Sequence, residues 1–400
     1  MKTKIVQISI FIFKHVLRFI YCFLKLFKMR EKKILFCSRQ MNNTPLDFFL
    51  IQEKLEERHG EFEYVTVCCH IGHSIKDYAI FVKELLRSMY HLATCHVCVI
   101  DSYWPAVSLL NHKPKLIVIQ IWHAVGKIKK SGYQSVGKTS GRKVEYAKML
   151  HMHENYDYVI AGAEAWNRFY CESFNISEDR LLNYGLPRID YLMNKETFNR
   201  KCFFEENPKL KMKKIILYAP TFRRNMKSRW EEIIDAVNYD KYVLIIKNHP
   251  GQITSNRDLP EGAYYMENWK TIDLIPVCDY LITDYSAIAL EAAVLKKKTY
   301  YWAYDYDEYV ENNGLNFEVC KELPKYVFRD INELMYDMEK EAYDMKPLEK
   351  YIEKYLPEEL GTSTEKIFRL IISSLEQNEK NRDIQYEICN NGGWQGNAVE

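Results

Sequence analysis

The chain has 400 residues and 47.7 kDa, more than one hydrophobic core usually organises, so a single small module is excluded and two domains of ordinary size are expected. With 47% hydrophobic and 28% charged residues, and only 15 Gly and 12 Pro, it is neither disordered nor collagen-like nor low in complexity. The formal net charge of +2 argues against a nucleic-acid binder, yet it is unevenly divided: residues 1–33 hold nine Lys/Arg and one acid, Glu31, a net +8, leaving 47 cations against 53 acids, −6, in residues 34–400.

The first predicted element is a helix over IVQISIFIFKHVLRFIYCFLKLF, residues 5–27. At helical periodicity Gln7, Lys14, Arg18, Tyr21 and Lys25 fall within an arc of about 60°, and Ile5, Ile8, Ile12, Val16, Phe19 and Phe23 lie outside it. Lys14 and Arg18 would each cost roughly 2.5–3.5 kcal/mol near the centre of a spanning helix, and both flanks are basic. An in-plane amphipathic anchor fits better than a spanning or a soluble packing helix. Its basic stripe is expected among anionic headgroups, with residues 5–28 touching the membrane surface. No small-residue cleavage site comes after it, so export is not expected. Eleven irregularly spaced cysteines agree with a cytoplasmic body. Cys68, Cys69, His70, Cys95 and Cys98 offer zinc-type ligands, but they sit in strand-like runs and read better as buried thiols.

Beyond residue 33, short apolar runs alternate with helical stretches: KKILFCS, EYVTVCC, HVCVID, KLIVIQI and DYVIAGA, then KIILYAP, KYVLIIKN, DYLITD and KTYYWAYD. This alternation predicts an α/β protein of two doubly wound, Rossmann-like domains facing a cleft, 34–195 and 213–376, parted by a polar stretch near 195–213. Residues 1–33 form the anchor and 377–400 a polar tail.

Ligands of such sheets bind beyond the carboxyl ends of the strands, where the unusual polar residues collect. Trp122-His123 with Gly126-Lys127 comes after one run, Pro220-Thr221 with Arg223-Arg224 after another, Asn248-His249-Pro250 after a third, and Thr283-Asp284-Tyr285-Ser286 after a fourth. Two histidines, hydroxyls and cations at strand ends suit a phosphate ester whose transfer needs proton handling near neutral pH. A helix starting near Tyr285 would add backbone N–H groups to an anion site, and Glu291 within it would meet ribose hydroxyls or else pair with a cation. Acidic clusters are absent from these strand ends, so neither metal nor other cofactor is expected.

Gly132-Tyr-Gln-Ser-Val-Gly137-Lys138-Thr139 matches the nucleotide-binding pattern G-x-x-x-x-G-K-[ST], but GKIKKS precedes it where that motif needs an apolar strand, and Ser140-Gly141 stands after it where it needs a helix. The acid-free segment 126–143, with Lys127 and Lys130, reads instead as a mobile basic loop that meets a phosphorylated substrate or headgroups.

Five ordered blocks, IQIWHAVGKIKKSGY, NYGLPRIDYL, ILYAPTFRR, IIKNHP and DYLITDYSAIALEAAVLKKKTYYWAYDYDEY, resemble the CDP-glycerol glycerophosphotransferase family of teichoic-acid and related polymer synthesis. The resemblance implies a glycosyltransferase-B-type fold and a membrane-associated cytoplasmic enzyme. It also implies a CDP-glycerol or related CDP-alditol donor and a lipid-linked, polyprenyl-diphosphate saccharide or polymer acceptor. His123 and His249 match the family's two essential histidines, and Arg223, Thr283 and Ser286 its donor-phosphate contacts. With Thr221, Asp284 and Glu291 these complete the donor-side candidates. Where family members often read Trp-His-Gly, Ser-Ser, Asp, Arg-Gly and Pro-Gly, this chain has Ala124, Ala287, Glu291, Asn313-Gly314 and Pro324-Lys325. A nucleotide-sugar transferase of the same fold, and a membrane-docked scaffold without activity, are the competing readings.

Overall fold

The computed structural model describes residues 2–58, 60–72, 74–139, 141–221, 223, 229–247 and 258–376. Two six-stranded sheets organise them. The first holds β1 (Lys33–Ser38), β2 (Glu63–Cys68), β3 (Val97–Ile100), β4 (Ile117–Gln120), β5 (Tyr158–Ala161) and β6 (Leu181–Asn183), in the order β2-β1-β3-β4-β5-β6. The second holds β7 (Lys214–Tyr218), β8 (Tyr242–Ile246), β9 (Ala263–Tyr265), β10 (Tyr280–Thr283), β11 (Lys298–Trp302) and β12 (Val327–Phe328), in the order β12-β11-β10-β7-β8-β9. The ladders β2-β1-β3-β4-β5 and β12-β11-β10-β7-β8-β9 are parallel throughout. Parallel strands are covered on both faces, which is why they read as unbroken apolar runs: β1, β3, β8 and β10 are buried at every position.

Each strand order reverses direction once, between β1 and β3 in the first sheet and between β7 and β10 in the second. A gap opens outside the carboxyl ends of the two strands that flank such a reversal, and open α/β folds bind ligands there. The core beneath the second reversal includes Leu217, Ile245, Leu281, Ile288 and Ala292. Burying each of the larger of these contributes about 1.5–3 kcal/mol.

The chain divides into two compact units that do not follow the sheets. One comprises residues 1–123, 148–159 and those from 364 onward, the other 124–147 and 160–363. The last described helix, 363–376, thus packs mainly in the first unit although it comes after the second sheet in sequence. The polar stretch near 195–213 is helical, ending the helix Pro187–Glu206, whose inner side buries Ile189, Leu192 and Phe203, and continuing as the 3-10 turn Pro208–Met212.

In the first unit the N-terminal helix Lys2–Leu24 corrects the expected orientation of its basic stripe. Lys14 Nζ lies 2.5 Å from His151 Nε2, Arg18 Nε donates to the Leu109 carbonyl at 3.0 Å, and Tyr21, 1% exposed, bonds His112 Nδ1 at 2.9 Å. Polar groups inside an apolar stripe find protein partners here, so the stripe faces the body. Ile5, Ile8, Phe11, Ile12, Val16, Phe19 and Phe23 face outward. The neighbouring helix Ile75–Thr94, started by a Ser74–Asp77 capping box, also exposes an apolar row, Ile75, Tyr78, Val82 and Leu86, at helical spacing.

Candidate active site

At the reversal in the first unit, Ser38 ends β1 and Asp101 comes directly after β3. Ser38 Oγ donates to Asp101 Oδ2 at 2.7 Å and Ser102 Oγ to Oδ1 at 2.9 Å, with the carboxylate 2% exposed. The two hydroxyls accept in turn from the backbone N–H groups of Gln40 and Arg39, at 3.1 Å each. One buried carboxylate therefore ties the loops after β1 and β3 together.

His123 is docked on that platform. Its Nδ1 lies 2.9 Å from the backbone carbonyl of Asp101, with the Gln40 side-chain amide 3.2 Å away. A carbonyl only accepts, so this shorter contact calls for a proton on Nδ1, with the Gln40 amide turned to present its oxygen rather than its nitrogen; the lone pair then sits on the His123 Nε2, the tautomer a general base needs. The preceding Trp122 holds φ at +62°, a left-handed conformation that costs an L-residue about 1–2 kcal/mol. Its N–H is fixed by Gln120 Oε1 at 2.8 Å, and its ring lies 3.9 Å from the imidazole, centroid to centroid. Strain of this kind at the end of β4 turns His123 off the strand direction and onto the Asp101 carbonyl.

At the reversal in the second unit the ties are ionic. Asp284, just after β10, accepts from the Thr221 backbone N–H with both oxygens, at 2.9 and 3.0 Å, and from Arg223 at 2.7 Å. Arg223 Nε and a terminal nitrogen also grip Asp305 at 2.6 and 3.0 Å, and Tyr285 Oη donates to the same carboxylate at 3.1 Å. The Arg223 side chain has no exposed surface, and its guanidinium stacks 4.7 Å from the Tyr304 ring centre. Burial alone would push its pKa down, but Asp284 and Asp305 outweigh that and hold it above its usual value. Two carboxylates against one guanidinium leave a negative excess. Lys129 counters it: burial pushes its ammonium down to about 8 while the charge of Asp284 pulls the other way and that of Arg223 adds to the fall.

The segment carrying Lys129 is clamped. Lys129 bridges Leu315, the Lys130 N–H donates to the Gly314 carbonyl at 3.1 Å, and the Asn316 side-chain amide donates to the Lys127 carbonyl at 2.9 Å and bonds Gln134. Gly314 has φ +74°, and a Cβ there would come within 2.8 Å of Lys130 Cδ. The expected mobile loop is therefore a fixed ledge. Residues 132–135 form a 3-10 turn with no strand before them, which removes the nucleotide-binding pattern. Gly126 is needed for contact: a Cβ would stand 2.7 Å from both Leu290 Cδ1 and Trp166 Cε2.

Several expected contacts are revised. The Thr283 hydroxyl is wholly buried and donates to the Ala219 carbonyl at 2.7 Å, so it ties β10 to β7 and does not face a donor phosphate. Arg223 is saturated by the two carboxylates and likewise does not face out. Glu291 pairs with Arg188 at 2.9 Å, the ion-pair alternative. Lys127 is 1% exposed, bonds Ser131 Oγ at 2.9 Å, stands 4.2 Å from the Phe174 ring centre, and is pushed well below its usual pKa by burial. It belongs to the packing of the ledge. Thr221 Oγ1, in contrast, is buried with no hydrogen-bond partner among the described residues, and Ser286, two positions after Asp284, is half-buried. Lys130 is half-buried on the ledge. His249, with Asn248, Pro250 and Arg224, lies outside the described residues. The helix after Ser286 is short, Ile288–Val294.

Sequence reading passed over Asp101, Ser38, Asp305 and Lys129. An Asp directly after the apolar run HVCVI, and another after KTYYWAY, were the available signals. Both are carboxylates at strand ends, and both bind partners tens of residues away.

The sequence pattern of the family described as CDP-Glycerol:Poly(glycerophosphate) glycerophosphotransferase matches residues 19–373. The chain is 28% identical over 364 residues to a teichoic acid ribitol-phosphate primase of Bacillus spizizenii, covering 88% of this chain and 93% of the primase. It is 26% identical to the teichoic acid poly(ribitol-phosphate) polymerase of the same organism, covering 90% of this chain but 59% of that longer protein. Its fold resembles the solved wall teichoic acid polymerase TagF with a TM-score of 0.71 at 18% identity, over 94% of this chain and 98% of that one; a variant of the polymerase has also been solved with CDPG. A match spanning nearly the whole chain, joined to a histidine and an ionic cluster at two strand-order reversals, places the protein in the CDP-glycerol:poly(glycerophosphate) glycerophosphotransferase family.

Proposed function

We propose that the protein transfers glycerol phosphate, or a related alditol phosphate, from CDP-glycerol or another CDP-alditol to a hydroxyl of a membrane-associated, lipid-linked saccharide or polymer, releasing CMP. The observation that carries this reading is His123 docked by its Nδ1 on the Asp101 carbonyl, which leaves Nε2 for the substrate. An acceptor hydroxyl attacks the alditol-bearing phosphorus in line. Its proton passes to His123 Nε2, the new P–O bond forms, and the bond to the CMP phosphate breaks with its electron pair leaving on CMP. In the second unit, His249, Lys129 and Lys130 are assigned to the charge of the donor phosphates. The Thr221 hydroxyl, unpartnered among the described residues, supplies a further donor, since a buried unpaired hydroxyl costs about 1–3 kcal/mol until it is satisfied. Arg223 contributes by holding the loops after β7, β10 and β11 in register through Asp284 and Asp305.

The same proposal puts the protein on the cytoplasmic face of the membrane as a peripheral enzyme. The support is the outward apolar face of the helix Lys2–Leu24, a segment long and apolar enough by composition to cross a bilayer, beside the exposed row of Ile75–Thr94. Flanking, exposed Lys28, Lys76 and Lys83 provide the attraction to anionic lipid.

The test is a donor panel with purified protein and a lipid-linked disaccharide acceptor: CDP-glycerol, CDP-ribitol and nucleotide sugars. CMP release with a matching gain in acceptor mass is expected for a CDP-alditol. Transfer from a nucleotide sugar, with none from either CDP-alditol, would overturn the reading.

A further inference from the structure

A cavity of about 580 Å³ lies in the second unit between the helix Met345–Tyr355 and the turn at Leu323–Lys325, and its walls share no residue with the ionic cluster around Arg223. Four ammonium groups and two carboxylates line it: Lys325, Lys346, Lys350 and Lys354 with Glu322 and Asp344. Both acids are engaged. Glu322 takes Lys354 Nζ at 2.7 Å and Tyr355 Oη at 2.6 Å, and these partners hold it ionised against the upward push of burial. Asp344 stands 3.6 Å from Lys325 and caps the helix by accepting the Lys346 backbone N–H at 3.1 Å.

Lys346 and Lys350 have no ion-pair partner among the described residues. Glu349 and Glu353 stand three residues later on the same helix, a spacing at which Lys–Glu pairs form readily, and neither pair is made. The cavity thus carries a net charge of +2 with two ammonium groups unneutralised. Lys346, Lys350 and Lys354 repeat every four residues along one helical face, a rise of about 6 Å per step. The wall is rigid: Tyr326 Oη donates to the Asp344 carbonyl at 2.6 Å, and the Tyr326 and Tyr343 rings stack at 4.1 Å. Solvated lysines on an amphipathic helix need neither a cavity nor unused acids beside them.

We infer that this cavity binds a chain bearing successive phosphates about one helical turn apart, which in the reaction proposed above is the growing poly(alditol phosphate) product. Identification of the ligand rests on that reading; the cation row does not. Lys346 and Lys350 hold consecutive phosphodiesters while the chain end reacts elsewhere, so they govern product length and leave the first transfer alone.

The experiment uses the full chain, a fluorescent synthetic oligo(glycerol phosphate), inorganic phosphate, and vesicles with and without phosphatidylglycerol. The K346Q/K350Q double variant is expected to bind the oligomer about tenfold more weakly, with a shallower salt dependence. It should make shorter products, with unchanged melting temperature and unchanged initial transfer to a single-unit acceptor. A K209Q/K211Q control, exposed cations elsewhere in the same unit, should match the unaltered protein. Equal oligomer binding by K346Q/K350Q, equal weakening by the control, or competition by inorganic phosphate as strong as by the oligomer would each overturn the inference. So would loss of vesicle binding with oligomer binding retained, which would mark a headgroup site. If no donor releases CMP yet oligomer binding still depends on Lys346 and Lys350, the functional reading fails and the cavity assignment stands.

Discussion

The two strand-order reversals tie their loops with different groups. In the first unit a carboxylate, Asp101, accepts from the hydroxyls of Ser38 and Ser102, and its own backbone carbonyl orients the histidine. In the second, two carboxylates, Asp284 and Asp305, are bridged by one buried guanidinium. The first arrangement orients a group that must change protonation during the reaction. The ionic bridge fixes loops that must stay put beside a highly charged donor. The most conspicuous cation at a strand end, Arg223, is thus architectural, while less conspicuous groups on the ledge are left for the chemistry.

That contrast can be broken experimentally, and the largest effect is expected at the bridge. Arg223→Ala leaves two buried carboxylates without their cation and should cost about 3–5 kcal/mol in urea unfolding, with activity falling because the fold does. Arg223→Lys should recover only part, since one ammonium cannot span both acids. Wild-type stability in Arg223→Ala would show that the guanidinium is not structural.

At the first reversal His123→Ala should lower turnover by about 10²-fold or more while leaving the melting temperature near that of the unaltered protein. Equal rates in purified His123→Ala would remove it from the reaction. Next in size is a pH effect at Lys129. Because burial lowers its folded pKa to about 8 from 10.5, the unfolded chain binds more protons between these values, so stability rises as pH increases through that window. Activity should move the opposite way, falling as the ammonium loses its proton above about pH 8. Lys129→Arg should abolish this alkaline limb, and Lys129→Met should be slow at every pH. A limb unchanged in Lys129→Arg would assign it elsewhere.

The smallest expected change is Ser38→Ala. Removing the Ser38 hydroxyl from Asp101 should cost about 1–2 kcal/mol and raise KM little, with kcat falling because the histidine is held more loosely. A cost as large as that of Arg223→Ala would erase the difference between the two platforms.

Much of this was legible beforehand for a definite reason. Strands covered on both faces must be apolar throughout, so KILFCS, HVCVI, YVLII and YLIT announce themselves, and the residues just after each run must sit at a carboxyl end. His123, Thr221 and Asp284 were found in that way. Partners were not legible, because Arg223 meets Asp305 across 82 positions and Glu291 meets Arg188 across 103. A sequence shows a charge without showing its counter-charge. Lys127 read as a phosphate ligand and proved buried for the same reason, its neighbours Tyr170 and Phe174 lying more than one element away.

The N-terminal helix marks the boundary most clearly. Periodicity alone determined that Lys14, Arg18 and Tyr21 share one stripe and that the remaining faces are apolar, because side-chain direction is set by 3.6 residues per turn. Which face turns inward was decided only by the body: the Leu109 carbonyl, His112 and His151 offer polar partners that lipid tails do not. The same division holds for the protein as a whole. Local pattern determined the strands, the helices and the residues at their ends. Only tertiary contact, through burial and the pairing of distant charges, decided which of those residues hold the fold and which are left to act on a substrate.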